Sequence, residues 1–74
     1  MPKALWELKD ILRAGGSVEV DARNLATWEL KDLARVATEG GGMLIVNNAD
    51  VKATWELKDI ARAGRGRVIF RGLR

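Results

Sequence analysis

Cysteine and histidine are both missing from the chain. Without cysteine there is no disulfide framework and no thiolate metal site. Without histidine the usual general base and the commonest metal ligand are gone as well. No apolar run approaches the ~20 residues of a membrane span, so no membrane partner is expected. Met1-Pro2-Lys3 runs straight into a helical pattern and carries no signal-peptide signature. A soluble, cytoplasmic protein is the default expectation. No cofactor, metal or small-molecule substrate is expected, and no enzymatic activity, because no nucleophile–base pair can be assembled from what remains.

Seventy-four residues make one small domain. A chain of this length buries only about 60–65% of its unfolded surface, so its stability as a monomer is marginal. The formal net charge of +3 is unevenly placed. Residues 1–61 hold eight Lys/Arg against ten Asp/Glu, a balance of −2, whereas residues 62–74 hold five arginines and no acid. Basicity belongs to the C-terminal stretch alone.

What the chain does have is a repeat. Ala26-Thr27-Trp28-Glu29-Leu30-Lys31-Asp32-Leu33-Ala34 recurs as Ala53-Thr54-Trp55-Glu56-Leu57-Lys58-Asp59-Ile60-Ala61, differing only at Leu33/Ile60. Leu5-Trp6-Glu7-Leu8-Lys9-Asp10-Ile11-Leu12 is a third copy, and an arginine follows each, at Arg13, Arg35 and Arg62. Leu30, Leu33, Ala34 and Ala37 follow the i, i+3, i+4, i+7 spacing of an amphipathic helix. Thr27 and Thr54 are the expected N-caps, with Glu29 and Glu56 in the first turn. The first helix has Leu5 at the capping position and a second plausible start near Pro2. Glycines follow each helical stretch, at Gly15-Gly16, Gly40-Gly41-Gly42 and Gly64/Gly66, as for left-handed C-caps before a tight reversal. A short strand pattern follows each time: Ser17–Asp21, Met43–Asn47 and Arg67–Arg71.

The expected fold is therefore α/β: three tandem helix–strand repeats, approximately 2–25, 26–52 and 53–74. Strands joined through helices run parallel, giving a three-stranded sheet of order 1-2-3 with right-handed crossovers and helices on one face. Aligning the strands on the glycines puts Val18/Val20, Leu44/Val46 and Val68/Phe70 toward the helices. Ser17/Glu19/Asp21, Met43/Ile45/Asn47 and Arg67/Ile69/Arg71 then face the rear. Parallel sheets are almost always covered on both faces. Met43, Ile45 and Ile69 are thus the expected interface of a homodimer, and near-identical units add the hazard of domain swapping.

Three further features admit a functional and a plain reading. Trp6, Trp28 and Trp55 project about 160–200° from the apolar stripe. They form either a stacking platform for a partner or a cover over the incoming loop, with Leu25 and Val51 beneath; the second reading is favoured, since a repeat unit repeats its packing residues. Arg65, Arg67, Arg71 and Arg74, interleaved with Gly and Phe70, suit a phosphate backbone but equally guard an edge strand against aggregation. The guard reading is favoured, so nucleic acid is an alternative partner rather than the first choice. Glu29 and Asp32, with Glu7/Asp10 and Glu56/Asp59, are the recurring carboxylates; the expected role is a solvated face with weak Asp32–Arg35 pairing. The glycine clusters run from helix C-terminus to strand, opposite in polarity to a phosphate loop.

The unit resembles the short strand–helix units of α/β repeat proteins, of which leucine-rich repeats are the best known. That resemblance implies solenoid-like stacking. The pattern LxxLxLxxN is missing, so it brings no ligand site. Near-identical units are the mark of recent duplication or deliberate design. The expected role is a non-catalytic structural or protein-interaction module that self-associates.

Overall fold

The computed structural model describes residues 4–73; Pro2 and Arg74 lie outside them. The elements run α1 (Leu5–Arg13), β1 (Val18–Asp21), α2 (Thr27–Gly40), β2 (Leu44–Asn47), α3 (Thr54–Gly64) and β3 (Val68–Phe70). Two short 3-10 turns, Ala22–Asn24 and Ala49–Val51, follow β1 and β2. The sheet is parallel in the order β1-β2-β3. Its register, Val18 beside Leu44 beside Val68, is the one the glycine alignment gives.

Each helix buries one stripe against one face of the sheet. Leu8, Leu12, Leu30, Leu33, Ala34, Ala37 and Ile60 join Val18, Val20, Leu44 and Val46 in a single core. The α2 helix is flanked by α1 on one side and α3 on the other. Its neighbours therefore also bury Val36, which lies outside the sheet-facing stripe.

The helix starts differ from expectation. Thr27 and Thr54 are the first helical residues, not the caps; Ala26 and Ala53 hold the extended cap position. Alanine has no side-chain acceptor, so the capping comes from the other half of the arrangement. Glu7, Glu29 and Glu56 reach back to accept from the backbone N–H of Ala4, Ala26 and Ala53 at 2.9, 2.8 and 2.9 Å. The recurring glutamate is thus a capping device, which explains why it recurs.

The glycines divide between two duties. Gly41 ends α2 in the left-handed conformation, but α1 is capped by Ala14 in a right-handed one, and α3 by Arg65 at φ 45°. Gly40 serves close packing instead: a Cβ there would stand 2.0 Å from the Leu12 carbonyl oxygen. Backbones of α1 and α2 converge at that point, and no side chain fits between them.

The 3-10 turns had no sequence expectation. The first is held by Asp21, whose carboxylate accepts from the Arg23 backbone N–H at 2.9 Å and from its guanidinium at 2.7 Å. Those bonds hold the Asp21 carboxyl well below the usual carboxylate range. Lys52 Nζ donates to the Leu25 carbonyl at 2.9 Å and ties the two connecting segments together.

Candidate interaction surfaces

On the rear of the sheet, Ile45 and Ile69 are side by side in register. Ile69 is 40% exposed, while Met43 and Ile45 are half-buried by their own neighbours. Asn47 Nδ2 donates to Glu19 Oε2 at 2.6 Å along the same face. The rear therefore presents a small apolar centre with polar groups toward β1 and arginines toward β3. The sequence places Met43, Ile45 and Ile69 on this face, and the register agrees.

The three tryptophans occupy equivalent positions on three neighbouring helices and are 66%, 64% and 66% exposed. Val51 is itself 51% exposed, so it is not the covered residue that one reading requires; Leu25 is buried. Trp28 borders a shallow depression of about 310 Å³ with Lys31, Asp32, Arg35 and Ala63. Of the repeated residues, leucine serves the core, glutamate the caps and aspartate the ion pairs. Among the repeated large apolar residues, tryptophan is the one turned outward in all three helices.

Asp32 is more than one end of a surface pair. Besides Arg35 at 2.6 Å on its own helix, it receives Lys9 Nζ from α1 at 2.8 Å. Both bonds, the Lys9 bond first, hold its carboxyl below the usual range. The bridge between α2 and α3 is different: Thr27 Oγ1 donates to Glu56 Oε2 at 2.6 Å. With the Ala53 N–H, that bond lowers the Glu56 carboxyl as well. The first helix has Leu5 where the others have threonine, so it cannot form this link to α2. Spacing within one helix gives no signal for either bridge, since both partners lie 23 or 29 residues away.

Arg65, Arg67 and Arg71 are exposed at the β3 end, and none of them takes part in an ion pair among the described residues. They flank Phe70, which is partly buried. Beside β3, a groove of about 400 Å³ is lined by Thr54, Leu57, Lys58, Ala61, Phe70 and Leu73. Sequence reasoning missed this groove, because the same leucine position is fully buried in the preceding helix.

Among the described residues no three His, Cys, Asp or Glu gather in a way that would hold a metal ion. No described helix is long and apolar enough to cross a membrane. No protein-family model matches the chain, and neither curated proteins nor solved structures show a match to it.

Proposed function

We propose that the chain is a single domain of three solenoid-like helix–strand repeats, acting as a non-catalytic interaction module that pairs through the rear of its sheet. The observation that carries this reading is the register pair Ile45–Ile69, apolar and central on a face that no helix among the described residues covers. A parallel sheet with one bare face is a rare arrangement, and a two-fold contact covers the same patch on both copies. The exposed tryptophan row supplies a second surface of the kind that marks protein-binding sites. Sedimentation at micromolar concentration tests the pairing: Ile45→Asp, still folded, runs at a lower mass than the native chain. Equal masses for the two would refute the rear-face contact.

A second reading has one specific observation behind it, the three exposed arginines of the β3 end without ion-pair partners among the described residues. It makes that end a nucleic-acid site, favoured by the bidentate reach of arginine toward phosphate. The acidic balance of residues 1–61 opposes such an approach. Titration with short DNA and RNA at low salt separates the two. Tight binding that collapses as salt rises, and that Arg67→Lys with Arg71→Lys weakens, would favour the second reading.

A further inference from the structure

The two ends of the helix layer are complementary. Leu8, Leu12 and Val20 of the first segment correspond in position to Leu30, Ala34 and Val46 of the second, and all six are buried where the next helix lies against them. Their counterparts in the third are Leu57, Ala61 and Phe70. There Leu57 and Phe70 are only partly buried, Ala61 is exposed, and the three line the 400 Å³ groove. At the other end the reverse holds. Leu33 and Ile60 are completely buried, whereas Ile11, in the same position of α1, is 39% exposed. One end has the socket, and the other has the residue type that fills such a socket twice within the chain.

The strands and charges agree. Carrying the register Val18–Leu44–Val68 one step onward sets Val68 beside Val18 of a second copy and Arg71 beside its Asp21. Arg67 and Arg71, which flank β3, thereby share a face with Glu19 and Asp21 of β1, Arg71 directly opposite Asp21 and Arg67 diagonal to Glu19. On the helix layer, Lys9 meets Asp32 at 2.8 Å across α1 and α2; the corresponding pair at the new joint is Lys58 with Asp10 of the second copy. We propose that the α3–β3 edge takes the α1–β1 edge of a second copy of this chain, end to end, with β3 and the neighbour's β1 continuing the parallel sheet.

Such a contact is heterologous: every added copy leaves a free socket at one end, so growth gives open chains or a ring. It uses the edge of the sheet and is separate from rear-face pairing. It also gives Arg67 and Arg71 a task other than guarding an edge or holding phosphate.

The absence of native cysteine makes the test clean. Glu19→Cys and Ile69→Cys occupy adjacent register positions across the proposed joint. Within one chain they are two strand spacings apart, about 10 Å, past the ~7 Å Cα limit for a disulfide. Under mild oxidation the double variant is expected to yield a ladder of covalent oligomers, and the two single variants mixed together a covalent dimer. Ala61→Glu, at a position exposed in the single chain, should keep the fold by circular dichroism. It should cut the covalent yield by at least about tenfold, because it puts a charge into the joint. A double variant that stays folded and forms no ladder, or a ladder indifferent to Ala61→Glu, would overturn the proposal. Covalent dimer from Ile69→Cys alone reports rear-face pairing, so the two contacts can fail separately.

Discussion

The helices α2 and α3 start with almost the same residues and end in different surroundings. Thr27 to Ala34 and Thr54 to Ala61 differ at one position. Both stretches form helix, both are capped by a reaching glutamate, and both place tryptophan outward. Yet Leu30 and Ala34 are fully buried, while Leu57 is only partly covered and Ala61 is exposed. The helix is thus a local property of the segment, whereas burial is conferred by the neighbour on either side. The α2 helix has one on both sides; α3 has one on a single side.

The sharpest way to probe that difference is to remove the same side chain twice. Leu30→Ala should cost about 3–4 kcal/mol, the range for a sealed core leucine. Leu57→Ala should cost less, about 2 kcal/mol, because that side chain packs at the edge of the core and is only partly buried. Urea denaturation of both variants measures the gap. Equal losses would show that burial in α3 is as complete as in α2.

A second break uses the glycines. Gly40→Ala puts a Cβ against the backbone of Leu12 and Arg13, where no side chain can swing aside, and should cost about 2–4 kcal/mol. Its neighbour Gly41 has open space around it but a left-handed backbone, so Gly41→Ala should cost about 1 kcal/mol. Thermal unfolding of the two ranks steric closure against conformational strain.

How much of this could be read from residues alone follows the same division. Helices, strands, parallel order and register were legible because each rests on local periodicity and on glycine punctuation. The rear-face placement of Met43, Ile45 and Ile69 followed from that register. Bonds between segments were not legible. Nothing in the spacing of Lys9 and Asp32, or of Thr27 and Glu56, announces that packed helices bring them together. The caps were misassigned for a related reason: threonine is the commoner cap, but here alanine holds the cap position, glutamate does the capping, and the Thr27 hydroxyl is engaged by the next helix. The 3-10 turns went unseen because a single Asp21–Arg23 contact makes the first of them.

Electrostatics sharpen the comparison more gently. Asp32 is bridged by Lys9 and Arg35, while its counterpart Asp59 has Arg62 at 3.2 Å. Asp32→Asn should cost about 0.5–1 kcal/mol at low salt, and Asp59→Asn about 0.2 kcal/mol. Asp21, Asp32 and Glu56 all have carboxyl groups lowered in the folded chain. Their contribution is therefore fully present above the ordinary carboxylate range, near pH 4, and is lost as pH falls below it. Asp32→Asn should flatten that acid limb in a pH series of melts, and an unchanged limb would contradict the Lys9–Asp32–Arg35 bridge.

One substitution is expected to be a gain. Arg65 caps α3 at φ 45°, where α2 uses glycine. Arg65→Gly should raise stability by about 0.5–1 kcal/mol through relief of left-handed strain. A loss instead would mean that the arginine side chain contributes packing at that turn.

Self-association is the claim on which the rest depends, and the mass of the intact chain in solution as a function of concentration and salt addresses it most directly. The expected result is a mass above the 8.2 kDa of one chain at tens of micromolar, rising with concentration and little changed between low and moderate salt. A mass that stays at one chain across that range would contradict both the rear-face pair and the end-to-end joint.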